Sequence, residues 1–152
     1  MSHYPNALTA YQNEDWAQAF ACLQRGAAAG ETDCYNLLAV CCEYGQGTAQ
    51  NCCQAVRWYR RAIRAGDSSA VSNLADLLDK SGKTRRAEYW YRQALGKGGD
   101  EKLAYAEFLL RQNPTPSPTV IRLLQQAAAP DIHTSEAAQE RAAQWLRQFQ
   151  AA

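Results

Sequence analysis

Apolar and small residues recur along this chain at helical spacing. In Cys34-x-x-x-Leu38-Ala39-x-x-Cys42 and in Ala70-x-x-x-Leu74-Ala75-x-x-Leu78, intervals of 3 and 4 put these positions on one helical face. A second pattern follows each of them. Ala55, Trp58, Tyr59, Ala62 and Gly66 match Ala87, Trp90, Tyr91, Ala94 and Gly98, so that WYRRAIRAG and WYRQALGKG end 32 residues apart. That interval is too long for one helix and too short for a domain, but it suits one supersecondary unit that is stacked and repeated. Each unit reads as a helix, a break (Gly45-Gln46-Gly47 or Ser81-Gly82), a second helix and a terminating glycine.

Fainter copies flank the clear ones. Pro5 to Tyr11 is a short first helix, and Trp16-x-x-Ala19-x-x-x-Leu23-x-x-Gly26-x-x-x-Gly30 is its partner. Leu103 to Leu110 and Val120 to Ala129 form another pair, separated by Asn113 to Pro118, whose three prolines (Pro114, Pro116 and Pro118) oppose helix. Ser135 to Phe149 carries Ala138, Ala142, Trp145 and Phe149 on one face, the pattern of a helix that caps a stack. Ala39, Ala62, Ala75 and Ala94 allow close helix approach, while Trp58, Tyr59, Trp90 and Tyr91 are expected to fill the space between neighbouring pairs. One domain over 1–152 is expected, with repeats near 4–30, 32–66, 68–98 and 99–130 and a cap at 135–150.

These residues identify a resemblance. The Ala/Cys-x-x-x-Leu-Ala segments, Gly45-x-Gly47, Ala55-x-x-Trp58-Tyr59-x-x-Ala62 and Gly66 resemble the Sel-one-like repeat, a branch of the tetratricopeptide superfamily. The likeness is close over Thr32 to Gly98. It implies an all-α fold, a right-handed α-solenoid of stacked antiparallel helix pairs whose first helices line a concave groove. It also implies an adaptor or scaffold rather than a catalyst. Register against the family places Asn36, Val40, Glu43, Ser72, Asp76, Asp79, Leu103 and Glu107 on the groove side, with Tyr4, Leu8 and Tyr11 extending it. Some cysteine-rich members join the two helices of a repeat by a disulfide, but the matching positions here are Tyr35 and Ile63, so that bridge does not carry over.

Composition adds limits. With 47% hydrophobic and 20% charged residues and a formal net charge of +1, the chain is ordinary for a globular domain and has no global pull toward polyanions. The start, MSHYPNALTAYQ, shows no basic-then-apolar leader, and no apolar run reaches the ~18 residues of a membrane span; a cytoplasmic address is expected. The six cysteines (Cys22, Cys34, Cys41, Cys42, Cys52 and Cys53) contain no C-x-x-C and lie far in sequence from His3 and His133. They read as small core residues, with no metal or other cofactor expected; a bridge from Cys41 or Cys42 to Cys52 or Cys53 stays open.

No phosphate loop, G-x-S-x-G or H-E-x-x-H occurs, and His133 follows Pro130-Asp131 in a loop, so no enzyme is expected. Charge is more informative. First helices are acidic (Glu31, Asp33, Glu43; Asp67, Asp76, Asp79; Asp100, Glu101, Glu107), and second helices are basic (Arg57, Arg60, Arg61, Arg64; then Lys83, Arg85, Arg86, Arg92, Lys97). The resemblance and this charge pattern together imply a non-catalytic module of a bacterial cell that binds a protein or peptide carrying basic groups in an acidic groove. The alternative is a basic outer surface for nucleic acid or anionic membrane. No aromatic residue interleaves with those arginines on the outer face, so base stacking lacks support and neither nucleic acid nor membrane is expected as partner.

Overall fold

The computed structural model describes residues 2–96, 99–131 and 133–151, and all regular structure among them is helical. The helices are α1 (Tyr4–Gln12), α2 (Trp16–Ala28), α3 (Cys34–Tyr44), α4 (Cys52–Arg64), α5 (Ser69–Lys80), α6 (Thr84–Ala94), α7 (Gly99–Gln112), α8 (Pro118–Ala128) and α9 (Glu136–Gln150). Where the periodicity set bounds, these match to within a residue or two, except that α7 begins four residues before the expected Leu103. The ends are set by local chemistry. The side chains of Asp15, Asn51, Ser117 and Ser135 accept hydrogen bonds from the backbone N–H three residues on, satisfying donors that a helix start leaves unpaired. Gly45 ends α3 in the left-handed region at φ 73°, the break expected there. Pro118, expected only to oppose helix, is the first residue of α8, where its missing N–H has no intrahelical partner to lose. Gly98 and Lys97, both named in the sequence reading, lie outside the described residues.

The chain divides into two compact units, Met1–Leu77 and Leu78–Ala152. In the first, α1 packs on α2, α2 on α3, and α3 on α4. Its core gathers Ala7, Cys22, Leu23, Cys34, Leu38 and Cys41, with Tyr4, Tyr11, Phe20, Leu37 and Trp58 against its edge. Ala39, Ala55 and Ala62 are fully buried, as close helix approach requires. The two aromatic residues of α4 behave differently. Tyr59 is buried and its hydroxyl donates to Glu43 Oε2 at 2.7 Å, whereas Trp58 is half-buried at the surface. Trp90 and Tyr91 divide in the same way in the second unit. The tyrosines, not the tryptophans, are the buried residues. The hydroxyl explains the choice for Tyr59, because it reaches a buried partner that an indole at that depth would miss.

In the second unit α6 packs on α7, α7 on α8, and α9 on both α7 and α8. Its centre is aromatic: the Tyr91 ring lies 4.8 Å from Phe108 and 6.1 Å from Tyr105. The cap α9 buries Ala138 and Ala142, while Trp145 and Phe149 stack on each other at 5.6 Å and stay half-buried.

The start of α1 is held from a distance. His3 supplies no side-chain cap, and instead Glu31 accepts from the backbone N–H of His3 at 2.8 Å and of Tyr4 at 3.1 Å. It also accepts from Ser2 Oγ and lies 2.7 Å from His3 Nδ1. Hydrogen bonding to His3, above all from its side chain, holds the Glu31 carboxyl down at about 2, against an ordinary 4.5. A carboxyl depressed on folding contributes stability that is complete above its unfolded value and lost as pH falls toward the folded one. The stability gap between the wild type and Glu31→Gln is therefore expected to be constant above pH 5 or so and to close between about 4.5 and about 2. Urea midpoints across pH test this, and a gap that does not narrow in that window would refute the cap.

All six cysteines are free. Cys22, Cys34, Cys41 and Cys42 are buried, in line with their use as core residues, and burial pushes the Cys34 thiol up to about 11 and Cys41 up to about 12. Cys52 and Cys53 depart from that expectation, since both are exposed at the first turn of α4. A thiol-specific chromogenic reagent should titrate two groups rapidly in the native protein and the other four only on unfolding. Fast reaction of more than two, or of none, would overturn this division.

Candidate functional site

The residues expected to line a binding face fall into three groups. On α1 and α3, Tyr4, Leu8, Tyr11, Asn36 and Val40 are all half-buried, neither sealed in the core nor bare. Tyr11 donates to Gln46 Oε1 at 3.0 Å, joining the end of α1 to the turn after α3. Asn73 of α5 donates to Asn36 Oδ1 at 3.0 Å, so α3 and the first part of α5 present neighbouring polar positions; Ser72 is half-buried beside them in sequence.

The expected acidic residues make the second group, and the structure engages most of them internally. Glu43 is 6% exposed and takes the Tyr59 hydroxyl, so it faces inward rather than toward a groove. The cause is register: Glu43 sits on the side of α3 that packs against α4. Burial, then the bond to Glu43, raises the Tyr59 phenol far above its ordinary range, with the Asp76 charge adding to the effect. Asp79 pairs with Arg111 at 2.8 Å, and Glu107 pairs with Arg141 of α9 at 2.6 Å and accepts from Trp145 Nε1. Leu103 is buried. In the second unit the cap therefore covers part of the α7 face that the repeat register assigned to a partner. Sequence showed that α9 would cap; it held no signal for which residues of α7 the cap would meet.

The third group is basic and lies on α4. Arg57, Arg60, Arg61 and Arg64 are all exposed on α4, and among the described residues none of them forms an ion pair. They surround a cleft of about 510 Å3 whose apolar lining is Phe20 of α2, Leu38 of α3 and Trp58. Gln24 and Gln54 complete it, so that the wall holds four guanidinium groups and no carboxylate. An aromatic ring does lie among these arginines, contrary to the sequence reading: the Arg61 guanidinium sits over Trp58, 4.7 Å from the ring centroid. Tyr35 packs against the same indole at 5.7 Å between centroids. The signal was present in the spacing, because Trp58 precedes Arg61 by three residues and so shares its side of the helix.

Among the described residues no group of three or more His, Cys, Asp or Glu side chains could hold a metal ion, and no helix is long and apolar enough to cross a membrane. His133 is exposed in a turn where its backbone N–H donates to Asp131.

No protein-family model and no curated protein matches this sequence. Solved structures do. The Sel1 repeat protein of Oxalobacter formigenes superposes with a TM-score of 0.71 at 17% identity, over 97% of this chain and 72% of that one. A protective antigen of uropathogenic Escherichia coli, described as displaying an SLR fold, superposes with a TM-score of 0.61 at 24% identity. That match covers 73% of this chain and 25% of the antigen, so the chain spans about a quarter of its length. Consecutive helix pairs packed in sequence are what these structures share with the chain, whose fold is that of the Sel1-like repeat proteins.

Proposed function

We propose that the chain is a non-catalytic protein-binding module that holds a protein or peptide on the face of its first helices. The observation that carries this reading is the half-buried row of Tyr4, Leu8, Tyr11 and Val40 on α1 and α3, extended by Tyr44, which is 57% exposed. Folding alone does not require apolar and tyrosine side chains to be left so open, and tyrosine is enriched where proteins meet. Asn36 and Ser72 add polar groups that fix register. Asp79, Leu103 and Glu107 support the reading less, being already engaged by Arg111, by burial and by α9. Adaptor, assembly-chaperone and inhibitor roles all use such a face.

A partner recovered by affinity capture and identified by mass spectrometry is to be titrated by calorimetry against the wild type, Leu8→Arg and Val40→Arg. Each substitution puts a long cation on the half-buried row, so affinity is expected to fall about tenfold or more with the helical spectrum unchanged. Wild-type affinity in both folded variants would remove the first-helix face as the binding site.

A further inference from the structure

We propose that the arginine cleft between α2 and α4 is a second binding site, one that takes a short acidic peptide segment anchored by one large apolar side chain. Four exposed guanidinium groups on two turns of one helix repel one another, and within the described residues no carboxylate neutralises them. Their positions run i, i+3, i+4 and i+7, a row about 10 Å long at 1.5 Å per residue. About three residues of extended chain cover that length. The cleft beneath is floored by Phe20, Leu38 and Trp58, so charge surrounds an apolar hollow rather than a flat basic surface. Arginine forks match carboxylates in bidentate geometry, and the hollow accepts a side chain of leucine or phenylalanine size.

Other anionic partners fit less well. Single-stranded nucleic acid binds through successive free aromatic faces, whereas here Trp58 is already met by Arg61 and Tyr35, and Phe20 packs against the core. A bilayer is met by apolar side chains that protrude, but the apolar groups of this site are recessed, with Leu38 only 1% exposed. The site lies apart from Tyr4, Leu8, Tyr11 and Val40, so its failure would leave the first-helix reading standing.

The test uses the full chain and fluorescence anisotropy. The probe is a short fluorescein-labelled peptide of glutamate and aspartate around one central leucine, with a serine-centred peptide, oligodeoxythymidylate and phosphatidylserine vesicles as comparisons. The leucine peptide is expected to bind most tightly and to weaken as salt rises. Arg57→Glu with Arg61→Glu should lower its affinity about tenfold or more, while Arg85→Glu with Arg86→Glu on α6 should not. Should the first pair disturb the helical spectrum, Arg60→Gln with Arg64→Gln removes two charges at exposed positions and should still weaken binding several-fold. No binding of the leucine peptide, equal binding of the serine peptide, tighter binding of the oligonucleotide or vesicles, or equal loss in the α4 and α6 variants would each overturn the proposal.

Discussion

Tyr59→Ala is expected to destabilise the first unit by about 3–5 kcal/mol, while Trp58→Ala, one residue away, should do clearly less. Tyr59 is 1% exposed among fully buried Ala39, Ala55 and Ala62, so truncation leaves a ring-sized void in a seam that small residues have already drawn tight. It also removes the hydroxyl that donates to buried Glu43 at 2.7 Å. Tyr59→Phe separates the two effects. It keeps the ring and drops only the hydrogen bond to a charged acceptor, for a loss of about 1–3 kcal/mol. Trp58 is larger, but it is half-buried, and Tyr35 and Arg61 remain to cover the exposed helix when it goes. Urea unfolding followed by circular dichroism ranks the three variants. A larger loss for Trp58→Ala than for Tyr59→Ala would mean that the tryptophan fills the seam after all.

That contrast shows where the sequence was legible. Helix positions followed from spacing, since an apolar face at intervals of 3 and 4 cannot be buried by anything but a helix. The pairing of helices followed from the 32-residue recurrence and from Gly45, whose φ of 73° suits a residue without a Cβ. Which of two adjacent aromatics goes inward did not follow. Trp58 and Tyr59 are about 100° apart around α4, and both directions are consistent with the pattern of alanines. The decision rests on Glu43, a charged residue inside the seam that can be buried because a phenol hydroxyl reaches it. No periodicity reports such a pair, because hydropathy reads a glutamate as surface.

The same limit applies to the sites. Counting acidic residues on first helices gave a negative face, but charge counts do not show which carboxylates are already paired. Asp79 and Glu107 spend their charge on Arg111 and Arg141, and Glu43 is buried. The arginines of α4 have the opposite history: their row was visible, yet the cleft beside them is assembled from Phe20 and Leu38 on two other helices. A row of charges is readable from one segment. A hollow needs three.

Gly47→Ala is expected to cost about 2–5 kcal/mol, more than alanine at any other loop glycine of the first unit. Two strains add. At φ 72° an L residue sits in the left-handed region, a loss of about 1–2 kcal/mol. In addition, a Cβ at Gly47 would overlap the carbonyl oxygen of Trp16 and lie 2.8 Å from Phe20 Cβ. The carbonyl belongs to the first residue of α2 and cannot swing aside as a side-chain tip would, so the turn or the helix must shift, for about 1–3 kcal/mol more. Gly30 is the control. It too has positive φ, at 83°, but a Cβ there meets nothing within 4 Å, so Gly30→Ala should show the conformational strain alone. The difference between the two variants isolates the contact that fits the turn after α3 against α2. Because Phe20 also floors the arginine cleft, displacement of α2 by Gly47→Ala should change the cleft as well as the stability. Thermal unfolding of both variants measures the first effect, and anisotropy with the leucine-centred acidic peptide measures the second. Equal stability losses at Gly47 and Gly30 would show that α2 and the turn do not approach as closely as this packing requires.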